Sequence, residues 1–485
     1  MRNTVFLVLA QVAGMPLSIL LNVVLARCLG TADFGHMYVA TWVVILAFQF
    51  VEWGHGTALP ALIAQDRARA PEFLGSSIAW RAGIGVLAAL VLAVVCALLR
   101  YPRPVQLSVA LIFLTSLLST LGAACLDTIR GFERTDVAAI NYIGQQLLNA
   151  MLVIPTALLG GGLYGVLIAQ LVTATLLAAY SWRSIRLVGI TSLVATRDTI
   201  RTLFSSGAPF LAFGITMAAQ PAVDASFLSK LTPDRVVGWH GGARRLIGVL
   251  VFPASALTGA LYPTLCRLRI ENESEFKRAT GSALRSSIVL VAPVALGCLF
   301  FGDIGTRILG RNQYAPAERN LQVFSAFLAL AYVTMPLGTA ILAWGKQRAW
   351  TFAQLLCVVV ALAFDAPLIR WFQAHTGNGG VGVCVSNVLA ETCMVAAAIA
   401  LVPRGIFDRA LMKQLLLTAI AGAAMAGTRY LLPSVSSFAV APLAVLVYFV
   451  VLWAIGGIRR DQLRELYDLT DRLSRKLGRF VRRGA

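Results

Sequence analysis

The feature that most constrains this chain is a succession of apolar runs, each about 20 residues long, separated by short polar gaps. A helix rising 1.5 Å per residue needs about 20 apolar residues to cross about 30 Å of hydrocarbon. Within hydrocarbon every backbone N–H and C=O must be satisfied inside the chain, so such runs read as spanning α-helices. They predict about fourteen spans, at residues 4–26, 36–60, 77–99, 105–128, 137–159, 163–181, 207–229, 236–262, 281–302, 321–343, 349–371, 380–402, 411–432 and 438–457. The expected fold class is an all-α membrane protein. Only 13% of the 485 residues are charged, against about 25% in soluble domains, and no stretch is long or polar enough for a separate soluble domain. The first run continues to about residue 26 without a small-residue cleavage site, so the first helix is expected to stay in place.

The formal net charge is +19. Basic residues of membrane proteins gather in cytoplasmic loops, and that distribution, rather than nucleic-acid binding, explains the excess. With the N-terminus inside, about 29 Lys and Arg fall inside and about 10 outside, with Arg244 and Arg245 within a span. Both termini are then expected in the cytoplasm. The eight cysteines are scattered, with no CxxC and no Cys/His spacing that suits zinc, and the four histidines are isolated. Residues 458–485 alternate Leu463, Leu466, Leu473, Leu477 and Phe480 with Arg460, Arg464, Arg472, Arg475 and Arg479. That pattern predicts a basic amphipathic helix for an anionic membrane surface, against the alternative of a solvated tail.

The chain also repeats. At an offset of 203 residues Arg27 falls on Lys230, Gly35 on Gly238, Pro60 on Pro263, and Glu72-Phe73 on Glu275-Phe276. Further on, Gly131 meets Gly345 and Gly165-Val166 meets Gly382-Val383, as short loop insertions would give. Each copy holds about six spans. An even number places both copies in one orientation, a parallel repeat that encloses a central cavity and works by rocking. The expected organisation is a six-helix bundle at 1–186, a cytoplasmic linker at 187–206, a second bundle at 207–403, helices thirteen and fourteen at 404–457, and the tail.

Several motifs now carry a resemblance. Ala26-Arg27-Cys28-Leu29-Gly30-Thr31-Ala32-Asp33-Phe34-Gly35 is similar to an "A-R-x-L-G-x-x-x-[FY]-G" hinge between spans one and two. Gly30 and Gly35 would permit a tight turn and Arg27 would anchor at the interface. Glu52-Trp53-Gly54-His55-Gly56-Thr57-Ala58 is similar to "D-x-G-[LF]-x-x-[AS]", with Glu52 for the usual Asp and His55 for an apolar residue. Gly162-Leu163-Tyr164-Gly165-Val166-Leu167-Ile168-Ala169 is similar to "G-x-x-G-V/A-x-I-A". With six, six and two spans, the chain resembles the multidrug/oligosaccharidyl-lipid/polysaccharide exporter superfamily, and within it the polysaccharide flippases of O-antigen and exopolysaccharide type. The resemblance implies a bacterial inner-membrane flippase that carries an undecaprenyl-pyrophosphate-linked oligosaccharide to the periplasmic leaflet for lipopolysaccharide, capsule or exopolysaccharide synthesis. It implies a polysaccharide polymerase and a chain-length regulator as partners besides membrane lipids, and no cofactor.

Charges inside spans are costly and mark function. Arg244 and Arg245 in span eight can flank one cavity face and clamp a pyrophosphate or acidic sugar, or else pair with acids such as Asp224. Arg81, at the inner end of span three, is either a further substrate contact or a topology anchor. Asp224, about seventeen residues into span seven, and Asp365, about sixteen into span eleven, lie at nearly the same height. Ser386 and Asn387 of span twelve reach that height from the other direction. Two carboxylates with hydroxyl or amide oxygens suit a hard monovalent cation or a proton. Relatives of lipid II flippase type place sodium among spans seven, eleven and twelve, so the resemblance implies Na⁺ at Asp224 and Asp365, with H⁺ the other coupling ion. The alternatives are that Asp365 caps a helix break before Pro367, or that the acids neutralise the arginines. Glu391 and Glu52 are further candidates for gating or proton relay, and Glu52 for substrate contact.

Rival functions are a cation-coupled multidrug antiporter, which the arginine pair disfavours, and a membrane-embedded polysaccharide polymerase or glycosyltransferase. The latter needs a large outer loop with catalytic groups, whereas the longest outer loop, 303–320, holds no paired carboxylates or histidine cluster. A non-transporting assembly scaffold would leave the buried charges without a purpose.

Overall fold

The computed structural model describes residues 2–457, with side chains from Gly14 onward except Met15 and Arg311. The basic tail at 458–485 lies outside the described residues. Among those described, every regular element is helical: α1 (Arg2–Glu52), α2 (His55–Gln65), α3 (Ala70–Leu98), α4 (Arg103–Gly131), α5 (Thr135–Leu158), α6 (Gly162–Ser184), α7 (Arg197–Leu231), α8 (Asp234–Glu271), α9 (Glu273–Phe300), α10 (Gly302–Leu309), α11 (Ala317–Ala343), α12 (Gln347–Thr376), α13 (Gly380–Leu401), α14 (Arg409–Leu431) and α15 (Ser437–Ala454), with three short 3₁₀ turns.

Thirteen helical stretches are long and apolar enough to cross a membrane. The first, Pro16–Gln65, has 50 residues, a length of about 75 Å. That is more than twice the hydrocarbon thickness of about 30 Å. It is broken at Gly30, whose φ of 74° and ψ of 176° no helix contains, so it makes two crossings. The expected number of about fourteen spans follows. Large apolar side chains such as Val86, Leu90, Val94 and Leu98 of α3 are exposed outward, as a lipid solvent allows.

Polar caps begin several helices. Thr196 accepts from the Thr199 N–H at the start of α7, Asn272 from Ser274 and Glu275 at α9, and Asp408 from Leu411 at α14. Several prolines lie inside spans without breaking them. α12 runs through Pro367 and α7 through Pro209 and Pro221, so Asp365 does not cap a break.

Two compact units divide the chain. One comprises the chain up to Val249, Gly305–Val323 and Gln347–Met394; the other comprises Leu250–Ile304, Phe324–Lys346 and the chain from Val395 onward. In the second unit Tyr332 donates to the Leu250 carbonyl (2.6 Å) and Tyr448 to that of Val289 (2.8 Å). Its core gathers Phe301, Met425, Ala444, Tyr448 and Leu452.

The first unit contains the seam of the repeat. Gly35 of α1 lies against the backbone of α8, where a Cβ would stand 2.6 Å from the Asp234 carbonyl and 2.9 Å from the Gly238 nitrogen. A Cβ on Gly238 would overlap the Thr31 carbonyl. Thr31 and Asp234 are themselves 203 residues apart, so the contact is reciprocal: equivalent positions touch each other's equivalents, as across a two-fold axis. The two glycines of the hinge motif therefore have different tasks. Gly30 supplies the left-handed turn, while Gly35 is helical and supplies close approach. Arg27 donates to the Ile308 (2.9 Å) and Arg307 (3.4 Å) carbonyls, satisfying the end of α10. At the other end of the spans Trp53 stacks on Phe204 (centroids 4.6 Å apart) and its indole N–H donates to the Phe204 carbonyl (3.0 Å).

Candidate functional site

Two clusters of charged side chains lie within the spans of the first unit. The first is built from α1 to α4. Arg81 of α3 is wholly buried. Its guanidinium donates to the Thr120 carbonyl and to Asp127 Oδ2 of α4 (3.4 Å). Arg130, one turn on from Asp127, donates to Oδ1 (3.1 Å). Each carboxylate oxygen of Asp127 thus meets its own guanidinium. Glu52 is exposed and borders Gly56, with Asp127 on the same side of that glycine. His55, buried beside α3, shares a hydrogen bond with Ser77 Oγ (3.1 Å).

The second cluster is built from α7, α8, α12 and α13. Its pivot is Asn387, 1% exposed. The amide nitrogen donates to Asp224 Oδ2 (2.8 Å) and to the Val383 carbonyl one turn back (2.9 Å). The amide oxygen accepts from Gln220 Nε2 (3.2 Å) and Arg244 Nη1 (3.3 Å). Both donors and both lone pairs are used, so the amide has one orientation. Asp365 is buried in α12 and interacts with Asp224, and Ser386 Oγ donates to the Ala361 carbonyl beside it (3.2 Å). Three buried oxygens, Asp224 Oδ1 and both of Asp365, find no hydrogen-bond partner among the described residues. Buried polar atoms are rarely left so; a monovalent cation or a proton placed between the two carboxylates would satisfy them.

The predicted residues therefore separate. Asp224, Asp365, Ser386, Asn387 and Arg244 lie together in this cluster. Glu391 lies one turn beyond Asn387, beside Cys357. Arg245 turns away from its neighbour: it donates to Asn22 Oδ1 (2.6 Å) and lies over the Phe34 ring (4.5 Å), and Phe34 meets Tyr314 edge-on. Arg244 and Arg245 thus do not form one clamp in this conformation, because 100° of helix rotation sends them to different neighbours. Arg81 and Glu52 belong to the first cluster, around Asp127. Asp127, Gln220 and Asn22 escaped the sequence reading. Asp127 had a signal, an acid inside span four three residues before Arg130. Gln220 stands four residues before Asp224 and so on its face. Asn22 had none.

Among the described residues no group of three or more His, Cys, Asp or Glu side chains could hold a metal ion.

Solved structures share the fold. The lipid II flippase MurJ in its inward closed conformation matches at a TM-score of 0.75 and 14% identity, covering 95% of this chain and 99% of that one. An inward-facing multidrug resistance MATE family transporter of the MOP superfamily matches at 0.67 and 15%, covering 82% and 96%. A MOP superfamily transporter from Pyrococcus furiosus matches at 0.53 and 16%, covering 82% and 93%. No curated protein matches by sequence. The profile of the family described as polysaccharide biosynthesis protein matches residues 1–269, more than half of the chain, and this multi-pass membrane protein accordingly belongs to the polysaccharide biosynthesis protein family.

Proposed function

We propose that the protein is a flippase that carries a polyprenyl-pyrophosphate-linked oligosaccharide from the cytoplasmic to the periplasmic leaflet, coupled to Na⁺ or H⁺. The observation that carries this reading is the Asn387 amide, which joins a cationic group to an acidic pocket. Its N–H holds Asp224 while its oxygen holds Arg244. A cation entering between Asp224 and Asp365 draws on the Asp224 carboxylate, and a phosphate group drawing on Arg244 acts on the other end of the same amide. Each ligand thereby changes the surroundings of the other, which is what coupling requires. Arg244 would meet the pyrophosphate or an acidic sugar through charge-assisted hydrogen bonds. The two repeats would rock about the Gly35–Gly238 seam, with the Asp66 end of the spans in the cytoplasm as the basic loops prescribe. MurJ is a lipid II flippase and the matching family is described as polysaccharide biosynthesis protein; both support a lipid-linked glycan as the cargo.

The test is reconstitution in liposomes with a fluorescent polyprenyl-pyrophosphate oligosaccharide, following its arrival in the opposite leaflet under imposed Na⁺ or H⁺ gradients. Wild type should translocate, and Arg244→Ala should fold but lose most of the rate. Unimpaired Arg244→Ala transport would remove that residue from the substrate path. Absence of transport by wild type under both gradients, with organic cations moved instead, would replace the reading by a drug antiporter.

A further inference from the structure

One cavity of the first unit serves neither charged cluster. A groove of about 700 Å³ runs along α1, α3 and α7. Its walls are apolar, with Phe50 from α1, Leu87 and Val91 from α3, Leu99 just past the end of α3, and Phe227 and Leu231 from α7. Ser226, the polar residue in the wall, spends its hydroxyl on the Ala222 carbonyl (2.7 Å). Leu87 and Val91 are more than half exposed, so the groove opens sideways onto the membrane rather than into a closed core.

Lys230 is the single charged residue among those that line it. It stands one residue from the end of α7, where the spans reach the membrane surface. Its ammonium lies 4.0 Å from the centroid of the Tyr101 ring and forms no ion pair among the described residues. The Tyr101 hydroxyl is buried without a hydrogen-bond partner. An apolar trough ending in an unneutralised cation is complementary to an amphiphile with an acidic head. The lysine stem lies along the apolar wall and the ammonium reaches the interface.

We propose that this groove holds one acyl chain of an anionic phospholipid, with its phosphate on Lys230. Length and charge favour that occupant over the chain of the translocated substrate. From Ala222 to Leu231 the lining of α7 rises about 13 Å, close to the roughly 15 Å of hydrocarbon in one leaflet, so an ordinary acyl chain lies along it without leaving its leaflet. A lone ammonium matches a singly charged phosphodiester, whereas a pyrophosphate carries more charge and calls for guanidinium pairs. A lipid bound there wedges helices of the first repeat, α1 and α3, against α7 of the second.

The test is native mass spectrometry of the full chain, titrated with dioleoyl phosphatidylglycerol or with dioleoyl phosphatidylcholine. Wild type should prefer phosphatidylglycerol. Lys230→Ala should weaken that lipid about fivefold and leave phosphatidylcholine unchanged, and Lys230→Arg should keep the preference. Val91→Trp, at an exposed part of the wall, should weaken both lipids, with thermal melts confirming that each variant folds. Equal binding of the two lipids, or Lys230→Ala binding phosphatidylglycerol like wild type, overturns the proposal. Displacement of phosphatidylglycerol by substoichiometric polyprenyl pyrophosphate, lost in Lys230→Ala, overturns it in favour of a path for the substrate's chain.

Discussion

The two charged clusters of the first unit use the same residue types to opposite ends. Around Asp127 the accounts balance: Arg81 and Arg130 each take one carboxylate oxygen. Around Asp224 and Asp365 two carboxylates share a site in which the described neighbours supply a donor to only one of four oxygens. A neutralised buried acid is a structural part. Two acids held together with so few donors leave buried charge uncompensated unless one of them holds a proton. The difference arises from helix neighbours. Span four brings its own cation one turn away, while α7 and α12 bring acids to the same depth and α13 brings an amide between α7 and α8.

Breaking the balanced cluster should give the largest effect. Asp127→Ala leaves Arg81 buried without its counter-charge and should cost about 3–5 kcal/mol of stability, read as a lowered melting temperature in detergent. Arg81→Met with Asp127→Leu should recover most of that loss. A melting temperature unchanged in Asp127→Ala would abolish the distinction between the clusters.

The open cluster should respond in the other currency. Asp365→Asn removes an uncompensated charge, so the melt should stay level or rise, while gradient-driven translocation falls about 5–150-fold, the range of ordinary coupling energies. Gradient-driven transport at the wild-type rate in this variant would show that the pocket has no part in coupling.

Asn387→Leu tests the link between acid and guanidinium. It removes two donors and two acceptors at once and should cost about 1–3 kcal/mol of stability. Some substrate-stimulated transport should remain, but its rate should no longer depend on the ion gradient. Retained gradient dependence would mean that Arg244 and Asp224 communicate by another route.

Arg245→Lys should be the mildest. It exchanges a planar cation over Phe34 for a compact one, a change of about 0.5–2 kcal/mol, and transport should hold within a fewfold. A transport loss as large as that of Arg244→Ala would return Arg245 to the substrate site.

Much of this was legible in the chain itself, for reasons that are local. Hydropathy alone placed the spans because hydrocarbon enforces helices of fixed length. The offset of 203 residues marked Gly35 and Gly238 as equivalents before their backbones were found in contact. Helix rise put Asp224, Asp365 and Asn387 at one depth. Depth, however, is only one coordinate. Whether Arg245 faces the pocket or Phe34, whether Arg81 finds Asp127 46 residues away, and whether Gly35 turns the chain or lets α8 approach it depend on azimuth and on which helices become neighbours. Those are settled by packing among spans far apart in sequence, where hydrogen bonds act over about 3 Å and a 100° step around one helix exchanges one set of partners for another. The sequence by itself determined the membrane-spanning helices and the inventory of buried charges; tertiary structure decided which of those charges meet a counter-charge and which do not.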